Sequence, residues 1–310
     1  MLLLYLSQRL HRVKCFSCFF AVLSPIYFVV HCSRLLGPSE STRFQWPDHI
    51  SDLTFEKMAT ALMQGDLKPN GRLVHQYSVC VYVKAIIHLY HVSRTTDNMA
   101  IRSQISQTRT AYAIAALRSI EHLSILTRPD LSTIQCLLSS VGSEKILDLI
   151  CFSLTILKAF LMQVLGRLDQ CWVLTSYAAR QIVSLNYQKI NTPLAPSHEE
   201  QEIHNAVYWC YYLDRTLSSL LDRPTSLPDL QISPTDLIRC NSSSLYDGLI
   251  RVLVDLAQVQ GNLHQLSTNG SFKGRDEILN ACQSLESRMQ SIYPRLKLVG
   301  SHIHFNVNFA

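Results

Sequence analysis

Between Ser197 and Pro224 the sequence spells one long helix with both ends marked, and no other stretch constrains the fold so tightly. Ser197 is a good N-cap, and Glu200 three residues later completes a capping box. Glu199, Glu200 and Glu202 suit the positive end of the helix dipole. At the other end Arg223-Pro224 stops the pattern, because proline has no N–H and restricts the residue before it. The expected helix therefore runs from His198 to Leu221. At about 100° per residue, Ile203, Val207, Cys210, Leu217 and Leu221 form one apolar stripe, with Asp214 at its centre and Arg215 to one side.

A carboxylate on an apolar stripe must be paired or hydrogen-bonded, since burying it alone costs several kcal/mol. Arg223, in the turn where the helix stops, and Arg180, on the preceding helix, are the candidate partners. On this reading Arg215 matters less. The alternative is a catalytic or ligand-binding aspartate. No second acidic or nucleophilic group shares the motif, so structural pairing is the stronger reading.

The rest of the chain repeats the helical period. Ile50–Met63, Leu73–Val92 and Asn98–Leu126 read as helices, the last with Ile105, Tyr112, Ala116, Ile120 and Leu123 near one face. Pro129 breaks the chain. Leu131–Ser140 is a short apolar helix, and Arg167–Tyr187 another, with Leu168, Trp172, Thr175, Ala179, Ile182 and Val183 on one stripe. The fold class expected is all-α. Apolar residues make up 47% and charged residues 16%, so the chain can fill a core and is not of the disordered class.

The first 48 residues are set apart as an apolar, basic segment followed by a loop. Arg9, Arg12 and Lys14 precede an apolar run from Cys15 to Val30, which Pro25 interrupts. Three readings stand: a membrane anchor, a buried helix, or non-native sequence from a faulty gene model. The 10 cysteines are scattered, mostly in apolar runs, as buried thiols in a reducing compartment would be. Cys15 and Cys18 form the only Cys-x-x-Cys, with no second pair or histidine pair at zinc spacing. His198 and His204 are too far apart for the zinc-protease motif, and their exposed capping turn is the plainer reading. No phosphate-binding glycine loop or nucleophile elbow is present, so no enzyme is expected. The net charge of +5 is mild and scattered and does not by itself argue for nucleic acid.

The stretch "YWCYYLDRTLSSLLDRPTSLPDLQI", Tyr208 to Ile232, resembles the signature of the fungal-specific transcription factor domain, the middle regulatory region of fungal zinc-cluster regulators. Trp209, Asp214, Arg215, Arg223, Pro224, Asp229 and Ile232 occupy the signature positions, and Asp222 stands where that family usually has glycine. Upstream, "LSTIQCLL" from Leu131 and "GRLDQCWVLTSYAARQIVSLNY" from Gly166, with Trp172 and Arg180, resemble the family's Gln-Leu and Trp-centred helices. The similarity is best over residues 115–237, within a helical regulatory domain spanning 50–310. The resemblance implies a nuclear transcription regulator acting on RNA polymerase II transcription. The implied partners are other transcription-factor subunits or coregulators, and a small-molecule effector. The family's six-cysteine, two-zinc cluster is not present in this sequence, so no cofactor is expected here. DNA would be reached only through such a cluster, and the chain itself should not bind DNA specifically. Two other classes stay open: a membrane-anchored helical protein, and an all-α enzyme without a recognisable site.

One segment departs from the family pattern. Val141–Lys158 separates the Gln-Leu helix from Gly166-Arg167 and Trp172, and joining Ser140 to Ala159 restores a continuous helical register. It reads either as an insertion, such as an unspliced intron, or as an extra helix capped by Ser143 over Ile146–Leu157.

Overall fold

A computed structural model of the protein describes residues 49–65, 67–68, 71–123, 128–148, 168–195, 197–239, 245–268 and 280–295. Among the described residues there are eight α-helices and no strand, so the chain is all-α as expected. The apolar segment before residue 49, with Cys15 and Cys18, lies outside the described residues, as does 149–167. No helix among the described residues is long and apolar enough to cross a membrane.

The chain divides into two compact units. The first contains α1 (Asp52–Gln64), α2 (Arg72–Thr95) and α3 (Met99–Glu121). Ser51 caps α1 by accepting the Thr54 N–H, and Gly65 closes it in the left-handed conformation (φ 70°). Phe55, Met58, Ala59 and Leu62 recur at helical spacing and form the buried face of α1. Asn98, in the tight link after α2, caps α3 through the Ala100 and Ile101 N–H groups. The α2–α3 pair is antiparallel. Tyr82 meets Tyr112 at mid-helix (ring centroids 5.4 Å apart), and His75 near the start of α2 meets His122 just past the end of α3 (4.9 Å). Of the face expected on α3, Ile105, Tyr112 and Ala116 are buried, whereas Ile120 and Leu123 are only partly so.

The second unit holds the first residues of α4 (Leu131–Asp148), then α5 (Leu168–Ser184), α6 (His198–Leu221), α7 (Leu245–Thr268) and α8 (280–295). Helix α6 has the predicted limits and capping box. It is the central element, packed against both α5 and α7, and over its middle it is buried on every side: Ala206, Val207, Trp209, Cys210, Leu213 and Leu217 are all core. Helix α8 lays Ile292 against Val252 and Val259 of α7, and Arg295 closes a 2.6 Å ion pair with Asp255.

Three expectations need correction. Val183, placed on the buried stripe of α5, is exposed, and Trp172 is only half-buried; Cys171, Ser176 and Ala178 take their places in the core. Helix α4 does not stop at Ser140 but continues to Asp148, so Ser143 lies inside a helix and is not a cap. The N-terminal turns of α6 are not wholly solvated: Glu202 and His204 are buried. Glu202 accepts a hydrogen bond from Gln135 of α4, which also ties to His49. Among the described cysteines, Cys80, Cys136, Cys171 and Cys210 are buried free thiols and Cys282 is an exposed one.

Candidate functional site

The signature residues meet where α6 ends. Asp222 terminates the helix in the left-handed region (φ 51°, ψ 47°), a conformation that glycine adopts freely and aspartate tolerates. The Arg223 N–H then turns back to the Ser218 carbonyl at 2.9 Å. This fold-back carries the next residues across the helix. The Ser226 and Leu227 N–H groups both reach the Asp214 carboxylate, at 2.9 and 3.1 Å. Asp214 is fully buried and grips the returning backbone.

The expected pairing of Asp214 with Arg223 or Arg180 is therefore not made. Backbone N–H groups supply what a guanidinium was expected to supply, because the turn after Pro224 brings them within reach before any long side chain is needed. Burial pushes the Asp214 carboxyl above the ordinary carboxylate range, while the two N–H groups and Arg215 oppose that rise.

Arg215 was expected to matter less, and the structure reverses this. Its side chain is 2% exposed. Its Nη2 bonds Asp229 at 2.7 Å, its guanidinium lies over the Tyr211 ring at 4.9 Å, and its Nη1 sits 3.9 Å from Asp214. At that last distance the attraction is Coulombic, and Nη1 has no hydrogen-bond partner. Gly261 of α7 makes room for the Arg215 stem: a Cβ there would lie 2.7 Å from the Arg215 Cδ.

Arg223 faces the other way. It pairs with Asp169 of α5 at 2.5 Å and stacks over the Trp172 ring at 4.7 Å. The Trp172 indole N–H donates to Ser218 Oγ at 3.2 Å, and Ser218 donates onward to the Pro224 carbonyl. Ser226 Oγ bonds Ser176 Oγ at 2.8 Å, and His264 of α7 bonds the Arg223 carbonyl. Trp172, Asp214, Arg215, Arg223 and Pro224 thus share one junction joining α5, α6 and α7. Trp209 and Arg180 do not join it: Trp209 is buried and stacks on Tyr212, and Arg180 is exposed beside Tyr177.

Ser176, Ser218, Ser226, Asp169 and His264 were not foreseen as junction residues. Gly261 offered a signal, as a glycine well inside an apolar helix often marks close approach. Chemically the junction is a clamp. Its carboxylate is occupied by backbone, and no nucleophile–base pair is assembled in it. Among the described residues no group of three or more His, Cys, Asp or Glu side chains is placed to hold a metal ion.

Fold and junction together define the class: an all-α protein whose central helix is locked to its two neighbours by a buried Asp-Arg clamp. No protein-family model, curated protein or solved structure matches the chain.

Proposed function

We propose that the chain is the regulatory, non-DNA-binding domain of a transcription regulator of the fungal zinc-cluster type. It works in the nucleus on RNA polymerase II transcription, through other transcription-factor subunits or coregulators. DNA is contacted through a zinc cluster that these 310 residues do not carry. One observation supports this reading above the others. Six of the residues that carry the resemblance, Trp172, Asp214, Arg215, Arg223, Pro224 and Asp229, interlock in one junction, while Trp209 and Arg180 lie outside it. A sequence signature is intelligible when its members hold one another in place. The departure at Asp222 fits the same logic, since the family's usual glycine falls at a position that is left-handed here.

The test is a tethering assay. The full chain is fused to a heterologous DNA-binding domain and placed upstream of a reporter in a fungal host. The expected result is a severalfold change in reporter output against the DNA-binding domain alone, lost on Asp214→Ala. Unchanged output from a well-expressed nuclear fusion would refute the reading.

A further inference from the structure

Away from the clamp, the link between α5 and α6 presents an outward-facing strip of chain. Asn191, Thr192, Pro193 and Leu194 are all exposed and lie outside any helix, Leu194 at 75%. Ile190 before them is extended (φ −63°, ψ 123°), and Pro193 holds Thr192 to the extended region as well. Thr192 Oγ1 accepts the Leu194 N–H at 3.2 Å, and its own O–H is left to solvent. Thr192-Pro193 is one of three Ser/Thr-Pro steps in the chain, the others being Ser24-Pro25 and Ser233-Pro234. Ser24 lies outside the described residues. Ser233-Pro234 is the opposite case. Ser233 is half-buried, its Oγ shares a 2.8 Å hydrogen bond with Thr235 Oγ1, and Pro234 is buried as the first residue of a 3-10 turn, Pro234–Leu237. Phosphoryl transfer needs the acceptor oxygen in line with the γ-phosphate inside the kinase cleft, so the acceptor must be presented on accessible, extended chain. Thr192 meets that condition in the folded protein, with its proline and leucine open to be read beside it. Ser233 meets it only if its turn unfolds.

We propose that Thr192 is a phosphorylation site for a proline-directed serine/threonine protein kinase, and that Ser233 in the folded chain is not. The Thr192 Oγ1 attacks the γ-phosphorus of ATP. The Oγ1–P bond forms, the bond from that phosphorus to the β,γ-bridging oxygen breaks, ADP leaves, and the hydroxyl proton passes to the kinase's catalytic carboxylate. The product carries about −1.5 to −2 charges on a cleft wall that Thr192 shares with Lys189 and Glu200. Lys189 is exposed and stands as the counter-charge, whereas Glu200, in the first turn of α6, is a like charge. The modification therefore resets the charge where the central helix begins. The inference goes beyond the transcriptional reading and does not rest on it, since it is read out on the purified protein.

The experiment incubates the purified full chain with MgATP and, in separate reactions, a mitogen-activated kinase and a cyclin-dependent kinase, and quantifies each phosphopeptide by mass spectrometry. Near-stoichiometric phosphate on Thr192 is expected from at least one kinase, with Ser233 modified roughly tenfold more slowly or less. Pro193→Ala, at an exposed position and checked for retained helicity, should slow modification of Thr192 by about tenfold or more. Thr192→Ser should remain a substrate. Thr192 left unmodified by both kinases, under conditions that saturate a reference peptide, would overturn the proposal. So would Ser233 modified as fast as Thr192, or a Thr192 rate that Pro193→Ala leaves unchanged.

Discussion

Replacing Asp214 with alanine should be among the most damaging single changes in the second unit, and the junction sets its size. The substitution removes the acceptor for two backbone N–H groups. Leu227 is buried, so its stranded N–H loses about 2 kcal/mol; Ser226 is only half-buried, and water can reach its N–H at small cost. The change also leaves the Arg215 guanidinium buried, with exposed Asp229 as its only carboxylate. Breaking a well-bonded buried pair costs about 3–5 kcal/mol. The 3.9 Å spacing is not a hydrogen bond, so about 2 kcal/mol is the fitting share here. The expected loss is thus about 4 kcal/mol. Asp214→Asn keeps a carbonyl for the Leu227 N–H but loses the charge, and should lose about half as much. Urea unfolding followed by circular dichroism measures both. A loss below about 1 kcal/mol for Asp214→Ala, or equal losses for the two variants, would refute the clamp.

Gly261→Ala sets a helix-propensity gain of about 1 kcal/mol against a 2.7 Å clash with the Arg215 Cδ. Asp229 and Tyr211 hold the far end of that side chain, so overpacking should win by about 1 kcal/mol net. In an Arg215→Ala background the same change should turn stabilising, which urea midpoints of the four-member cycle would read directly. Asp222→Gly relieves a left-handed non-glycine and should stabilise by about 0.5–1 kcal/mol; a fall in the thermal midpoint would count against it. Burial lowers the pKa of His75, His88 and His204, with His122 also acting on His75. The unfolded chain then takes up protons first, so stability should be full above the ordinary histidine value and fall as pH drops through about 6.5. Urea midpoints that stay constant or rise between about pH 7.5 and about pH 5.5 would contradict those lowered values.

Helix limits were most legible where the sequence carries chemistry for a terminus. Ser197 and Glu200 fix the start of α6, and Arg223-Pro224 fixes its end, because each acts on backbone groups within one turn. The limits of α3 and α4 were less legible. Asn98 lies outside α3 as its cap, which the helical period alone does not distinguish from a first helical residue. Past Ser140, Gly142 has the look of a terminus, yet α4 runs through it to Asp148, so the short-helix reading over Leu131–Ser140 stops too early.

The site failed in a different way. A helical wheel places Asp214 correctly at the centre of a buried face but says nothing about what approaches that face. Charge alone points to arginines as partners, although a buried carboxylate is satisfied as well by N–H groups, and every turn carries those. Burial of Arg215 was invisible for a related reason. A wheel scores a residue by its angle from one stripe, and α6 has no single stripe: α5 and α7 cover it from two directions. An off-stripe arginine on a surface helix reaches water, whereas on a central helix it must find a carboxylate or an aromatic face, and Arg215 finds Asp229 and Tyr211. The density of apolar residues around Asp214 was the available hint. Tyr208, Trp209, Tyr211 and Leu213 lie off the stripe yet are large and apolar, which a helix with one solvated side would not sustain. A helix apolar on all sides with one Asp-Arg pair inside it must satisfy both charges from its own continuation, so the loop that leaves it is where the partners should be sought.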